Sequence, residues 1–167
     1  MLTVQELLQE LEQEAPATRR VLARVPSDRL DWRPHARSMS MGQLASHLAR
    51  LPRSIVSATL QPSFDPGAVP PPQAPADAAE LLTSFDEAME YARATLGGMS
   101  DADLDLPWNL VRGDKVLMSM PRSAAYRTIL LNHSYHHRGQ LTVYLRLNDI
   151  PLPSVYGPSA DEPPFAS

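Results

Sequence analysis

The residues best suited to chemistry lie in the segment HSYHHRGQ, where three of the five histidines fall within His133–His137. The segment belongs to a helical pattern that continues through LTVYLRLND. On a helix, His133 and His137 are one turn apart and share a face. Two imidazoles at that spacing can bind one metal ion, so the segment raises the question of a third ligand.

A third histidine lies on a second helical pattern. His47 falls in the apolar stripe formed by Leu44, Leu48, Leu51 and Ile55. Three neutral imidazoles buried without partners would lose several kcal/mol of hydration. One divalent ion bound by all three removes that cost and leaves a position for water or substrate, as in catalytic sites. The alternative is that the histidines are half-buried helix residues with ordinary hydrogen bonds.

Hydrophobic periodicity predicts four helices, at about Thr3–Val25, Ser40–Leu60, Asp77–Leu96 and Ser123–Asn148. Thr3 and Glu6 have the spacing of a capping box. Pro16 should kink or divide the first helix, and Pro52 should bend the second one turn after His47. Gly139 costs the last helix about 1 kcal/mol relative to alanine, so close approach of another helix is expected there.

The connections between these helices are long. Six prolines between Pro62 and Pro75 predict an extended crossover that is neither helix nor strand. The segment WNLVRGDKVLMSM, with Gly113 and Asp114 at its centre, predicts a small hairpin or loop excursion before the last helix. The Pro-rich tail should lie over the bundle surface. We therefore expect one all-α domain over residues 1–167.

Composition excludes several classes of protein. The chain has no cysteine, so disulfides, thiolate metal sites and a cysteine nucleophile are excluded. The net charge of -4 argues against a nucleic-acid partner. The acidic N-terminal segment is unlike a signal peptide, and no stretch approaches the roughly 18 apolar residues of a membrane span. The predicted location is therefore cytoplasmic, without a membrane partner.

Four segments together resemble the DinB/YfiT-like family: DRLDWRPHARSMS, SMSMGQLASHLA, NHSYHHRGQLTVYLR and PLPSVYGPS. The resemblance implies a four-helix bundle with long crossovers in up-down-down-up order. It also implies a divalent metal on His47, His133 and His137. Three imidazoles suit both zinc and nickel, so either ion is expected. Some members of that family transfer or isomerise groups with a low-molecular-weight thiol. Dimers recur in the family, so a homodimer is one expected state.

Three functions remain open at this point. The first is a metal-dependent enzyme, a thiol S-transferase or hydrolase acting on a small-molecule substrate. The second is a non-enzymatic metal-binding stress-response module with a protein partner, and the third is a bundle without metal. For the enzyme, the candidates to orient ligands or grip an anionic substrate are Asn132, His136, Arg138, Gln140 and Tyr144. His136 is expected at the edge of the site, and His35 in solvent.

Overall fold

The structure is a computed structural model that describes residues 2–162. Its long helices are α1 (Val4–Leu22), α2 (Met41–Leu60) and α3 (Ala78–Gly97), followed by the short α4 (Asp101–Leu104). Three segments then form one uninterrupted last helix: α5 (Arg122–Ala125), a π-helical segment (Tyr126–Asn132) and α6 (His133–Arg146). The strands are β1 (Ser63–Phe64), β2 (Pro107–Arg112) and β3 (Lys115–Pro121).

Side chains that bind free backbone N–H groups define where α1 and α2 begin. The Thr3 hydroxyl accepts a hydrogen bond from the Glu6 backbone at 3.1 Å, and the Glu6 carboxylate accepts one from the Thr3 backbone at 2.8 Å. Ser40 and Gln43 exchange the same pair of bonds at the start of α2. These capping boxes satisfy donors that have no partner within the helix. The predicted box at Thr3 is confirmed.

Neither internal proline divides its helix. α1 continues through Pro16 and α2 continues through Pro52. Pro16 is exposed, so water can hydrate the carbonyl that loses its hydrogen bond. Pro52 is buried among the apolar residues of α2, and that packing holds the helix on both sides of the ring. Pro16 was predicted to kink or divide α1, and the continuous helix excludes the division.

The four long helices pack in the predicted up-down-down-up order. Paired residues show that α1 is antiparallel to α3 and parallel to the last helix, whereas α2 is parallel to α3 and antiparallel to the last helix. The pairs Glu12–Arg93 and Arg19–Asp86 join α1 to α3, and Glu10–Arg127 and Thr18–Arg138 join α1 to the last helix. The pairs Arg50–Glu80 and Arg53–Tyr91 join α2 to α3. Met39, just before α2, and Thr59, near its end, pair with Tyr144 and Tyr126 of the last helix. Leucines from all four helices fill one core, among them Leu7, Leu44, Leu81 and Leu141.

A small sheet corrects the all-α prediction. The strand order is β1-β2-β3, with β1 parallel to β2 and β2 antiparallel to β3. The predicted hairpin is present, and its turn contains Gly113 at a φ of 54°. The Pro-rich crossover was predicted to contain no strand, but it supplies β1. Asp65, just after β1, accepts a hydrogen bond from the Gly113 backbone at 2.8 Å, which joins the crossover to the turn.

Two buried polar contacts fix the sheet and the last helix to α2. Trp108 in β2 is 1% exposed, and its indole N–H donates to the Ala58 carbonyl at 3.2 Å. The hydroxyls of Tyr126 and Thr59 lie 2.7 Å apart in the core. Each contact satisfies a polar group that would otherwise be costly to bury. The first contact holds β2 against the end of α2, and the second holds the last helix there.

The tail lies over the surface, as predicted. Arg20 donates to the Ser154 carbonyl at 2.6 Å, and Arg24 pairs with Glu162 at 2.7 Å. Residues 163–167 and Met1 lie outside the described residues, so a single domain over 1–167 stays a prediction. Across residues 2–162, none of the helices combines the length and the apolarity that crossing a bilayer requires.

Candidate metal centre

The structure brings His47, His133 and His137 together. Each offers a ring nitrogen, and these nitrogens all lie within 4.8 Å of one another. The ring centroids of His133 and His137 are 4.3 Å apart, and the ring of His47 lies 5.2 and 4.6 Å from them. His47 comes from α2 and the other two from α6. The cluster therefore depends on the antiparallel packing of these helices.

The local structure before His133 is unusual. The segment Tyr126–Asn132 is π-helical, and α6 begins at the next residue. A π-helix has wider turns than an α-helix and often occurs at functional sites. It changes the angular position of His133 and His137 relative to Tyr126, whose side chain is fixed in the core. The helical periodicity of 3.6 residues per turn, by which the sequence predicts the apolar stripe, does not account for this change in angle.

Hydrogen bonding orients His137 more completely than its neighbours. Its Nδ1 lies 2.7 Å from Oε1 of Gln140, and its Nε2 lies 2.6 Å from Nε2 of His133. The His47 side chain makes no hydrogen bond to any other group among residues 2–162. Two ring nitrogens that face each other can share only one proton, so this contact leaves a lone pair directed into the cluster.

All three imidazoles favour the neutral form. Burial lowers the pKa of His47 from 6.5 to about 4, with a smaller contribution from His133. Burial also lowers the pKa of His137 to about 4, although the hydrogen bond to Gln140 opposes the shift. The pKa of His133 is lowered by burial and partly raised by hydrogen bonding to the Ile129 backbone. Neutral imidazole is the form that binds metals, so the cluster is in the correct state near pH 7.

The donor set fits a divalent transition metal. Three imidazole nitrogens suit zinc and nickel, and ligand type alone does not separate the two ions. Among residues 2–162, no carboxylate belongs to this group of possible ligands. The cluster therefore supplies nitrogen ligands without negative charge.

Of three further candidates, His136 is the one whose ring lies against a ring of the cluster. His136 is exposed, and its ring centroid is 4.9 Å from that of His137, which matches the expected position at the edge. Asn132 is exposed just before His133. Tyr144 packs edge-on against Trp32 at 5.5 Å, and its hydroxyl lies 3.4 Å from the Met39 carbonyl, so it supports the connector before α2. His35 is exposed in that connector, as predicted.

Arg138 is directed away from the histidines. It is 3% exposed and pairs with Glu14 at 2.8 Å. It also donates to the Thr18 hydroxyl at 3.1 Å and to the Tyr156 hydroxyl. The seven-residue spacing of Leu131, Arg138 and Leu145 is the sequence signal for this buried face, because seven residues are nearly two helical turns.

The glycine that needs close packing is Gly42 and not Gly139. A Cβ on Gly42 would lie 2.9 Å from the Ala74 Cβ and 3.1 Å from the Leu30 Cβ. A Cβ on Gly139 would have no atom within 4 Å, so the predicted close approach at Gly139 is wrong. Gly42 lets the Pro-rich crossover pass closely over the start of α2, the helix that carries His47.

The fold and the histidine cluster define a mostly helical protein with a candidate three-histidine metal site. Comparison with known proteins agrees with this class. The model of the DinB family matches residues 1–164, so the chain belongs to the DinB family. A relative is the "Uncharacterized protein YrdA" of Bacillus subtilis (strain 168), which is 26% identical over 161 residues, covering 96% of this chain and 92% of YrdA.

Two solved structures have the same fold. A DinB-like protein from Bacillus cereus ATCC 10987 superposes with a TM-score of 0.76 at 23% identity, covering 92% of this chain and 98% of that one. A DinB-like protein from Bacillus subtilis, YjoA, superposes with a TM-score of 0.69 at 18% identity, covering 90% and 97%. At these identities the likeness establishes the fold alone.

Proposed function

We propose that this protein binds one divalent metal ion, zinc or nickel, through His47, His133 and His137. The observation that carries the proposal is the convergence of three ring nitrogens within 4.8 Å of one another on two packed helices. The lowered pKa values keep these rings neutral near pH 7. His47 has no hydrogen-bonding partner among the described residues, and burying such an imidazole is costly; an ion shared with His133 and His137 removes that cost.

Metal analysis tests this proposal. Protein purified without chelator, or loaded with zinc or nickel and then desalted, should retain about one ion per chain if the cluster is a site of the usual affinity. The His47→Ala, His133→Ala and His137→Ala variants should lose the ion, whereas His35→Ala should retain it. Wild-type protein that takes up neither ion on titration would contradict the proposal and leave a bundle whose histidines are only packed.

We further propose that the metal supports an enzyme, a transferase that uses a low-molecular-weight thiol, with hydrolysis as the related reaction. A divalent ion bound here would supply Lewis-acid activation of a thiol or water near neutral pH. Three neutral ligands leave both charges of the ion uncompensated, which favours an anionic partner such as a thiolate. The chain has no cysteine, so the thiol must come from a separate molecule.

The polar groups beside the cluster limit the role of the protein in such a reaction. His136 is exposed beside the ring of His137, and Asn132 is exposed at the position before His133, so these two are the polar candidates to contact a bound substrate. Arg138 is bound to Glu14 and Thr18, so its guanidinium is not free to grip an anionic substrate. A substrate would therefore depend on the ion, His136 and Asn132 for polar contacts.

Spectroscopy on a cobalt-loaded form tests the thiol proposal. Cobalt replaces zinc in nitrogen sites, and its absorption changes when a sulfur ligand joins the coordination sphere. Addition of mycothiol, bacillithiol or glutathione should produce a new charge-transfer band for the thiol that binds. The matched S-methyl thioether should produce none. Unchanged spectra with all three thiols would contradict the transferase while leaving metal binding intact.

The alternative is a non-enzymatic metal-binding module that acts in a stress response through a protein partner. The observation in its favour is that no carboxylate of residues 2–162 joins the three histidines, which leaves the cluster without an evident general base. This alternative predicts metal binding without turnover of thiols and electrophiles. It also predicts that loading with metal changes the affinity for the partner.

A homodimer in the cytoplasm is part of the same proposal. Light scattering coupled to size-exclusion chromatography tests the oligomeric state, and it should give twice the chain mass of 18.4 kDa. A mass equal to that of one chain across the accessible concentration range would contradict the dimer.

A further inference from the structure

Gln140 lies one helical turn after His137, on the exposed side of α6. Its Oε1 is 2.7 Å from Nδ1 of His137, which is a short and direct contact. Gln140 makes no other side-chain hydrogen bond among residues 2–162. Its hydrogen-bonding contact is therefore with His137 alone.

The chemistry of this contact determines where the proton of His137 lies. An amide oxygen can only accept a hydrogen bond, so Nδ1 must carry the hydrogen. A neutral imidazole has one N–H, which leaves Nε2 with a free lone pair. Nε2 is the atom that faces His133 at 2.6 Å, inside the cluster. The contact with Gln140 thus presents the correct nitrogen to an ion.

We propose that Gln140 is a positioning residue that holds His137 in the Nδ1–H tautomer and fixes its ring orientation for metal binding. This inference rests on the proposed metal site. Partners of this kind are common behind metal-binding histidines, because they fix the tautomer and make the other nitrogen a better ligand. Acceptors in that position are usually carboxylates or backbone carbonyls, whereas here the acceptor is the side-chain amide oxygen of Gln140.

The three histidines differ in how they are supported, which makes the contribution of Gln140 specific. The hydrogen-bonding contact of His133 lies within the cluster, where its Nε2 is 2.6 Å from Nε2 of His137. His47 has no hydrogen-bonding partner among the described residues. Of the three ligands, only His137 has a hydrogen bond to a side chain outside the cluster, so substitution of Gln140 removes a direct contact of that ligand alone.

Metal affinity of substituted proteins is the first test. Gln140→Met keeps the length of the side chain and removes the acceptor, and we expect zinc affinity to fall by about 10–100-fold in a chelator competition. Gln140→Glu restores an oxygen acceptor at the same place and should retain wild-type affinity or bind more tightly. Gln9→Met makes the same substitution on an exposed position of α1 and should not change the affinity.

Nitrogen NMR of the imidazole rings is the second test and does not depend on bound metal. In metal-free wild-type protein at neutral pH, we expect His137 to show the shifts of the Nδ1–H tautomer. The Gln140→Met variant should show a mixture of tautomers, and Gln140→Glu should restore the single form. A purely structural role for Gln140 would leave these shifts unchanged.

The outcomes separate this inference from the proposed function. If wild-type protein binds no metal, the proposed function fails, and the NMR result alone decides whether Gln140 controls the tautomer. If wild-type protein binds metal and Gln140→Met matches it in both affinity and tautomer, the positioning role is overturned while the metal site stands.

Discussion

Nε2 of His137 lies 2.6 Å from Nε2 of His133, and the ring of His47 completes the cluster from the neighbouring helix. These nitrogens are close enough that protonation of all three rings would place like charges in contact. The state of the cluster therefore depends on pH and on metal, and both dependences can be measured.

The first prediction concerns the pH dependence of stability in the metal-free protein. The pKa values of His47 and His137 fall from 6.5 to about 4 on folding, so the unfolded chain binds more protons between these values. The free energy of unfolding is therefore highest above pH 6.5, where both states are neutral at these residues, and it decreases as the pH falls towards about 4. The free energy of unfolding, measured by urea denaturation with a chelator present, should decrease across this range.

The control for the pH dependence uses another histidine. His47→Gln and His137→Gln should each flatten the decrease, because they remove a group whose pKa changes on folding. His35→Gln changes an exposed connector position and should leave the slope as in wild type. Equal slopes in all four proteins would mean that the clustered rings do not have lowered pKa values.

The second prediction ranks the histidines by their effect on metal affinity. Alanine at position 47, 133 or 137 removes one of the three nitrogens. Zinc affinity should therefore fall by a larger factor than the loss of about 10–100-fold expected when a supporting residue is removed. His136→Ala should have a smaller effect, since its ring lies beside His137 and outside the converging trio. Isothermal titration calorimetry measures each affinity. A loss at His136 as large as at His47 would place His136 among the ligands.

The third prediction separates stability from binding at Arg138. Arg138→Met removes the ion-pair partner of Glu14, whose carboxylate keeps a hydrogen bond from the Tyr156 hydroxyl at 2.7 Å. The free energy of unfolding should therefore fall by less than the about 3–5 kcal/mol of an unpaired buried charge, and by more than for an exposed pair. The exposed pair Arg19–Asp86 is the matched comparison, and Arg19→Met should cost about 0–1 kcal/mol. Zinc affinity should be unchanged in both variants. A stable Arg138→Met protein with impaired metal or substrate binding would instead show that Arg138 serves the site.

The fourth prediction uses two glycines with opposite surroundings. Gly139→Ala should stabilise the protein by about 0.5–1 kcal/mol, because it adds a better helix former and its Cβ meets no atom within 4 Å. Gly42→Ala should destabilise it, because its Cβ would lie 2.9 Å from the Ala74 Cβ. Thermal and urea denaturation give both changes. A loss of stability in Gly139→Ala would indicate that another chain packs against this face.

Local patterns predicted those features that depend on near neighbours in the chain. The periodicity of apolar residues predicted the four long helices, and the Thr3–Glu6 spacing predicted the first cap. The residues around Gly113 predicted the hairpin. The same periodicity placed His47, His133 and His137 on inward-facing stripes. Each of these rests on spacings of a few residues, for which backbone geometry alone determines which side chains meet.

Local patterns do not predict contacts between residues that lie far apart in the chain. The pairing of β1 with β2 joins Ser63 to Asn109, and neither strand carries a signal for the other. The partner of Arg138 is Glu14, which lies 124 positions earlier in the chain. Gly42 and Gly139 look alike as helix glycines, and only the packing of the crossover against Gly42 distinguishes them.

The sequence by itself determined which histidines face inward and that no thiolate could join them. The tertiary structure decided that α2 and α6 lie side by side in antiparallel order, which brings the three ring nitrogens within 4.8 Å of one another. It also revealed the π-helical segment that sets the angle of His133 and His137. The physical reason is that a ligand cluster requires distances across helices, and these follow from the packing of the whole core.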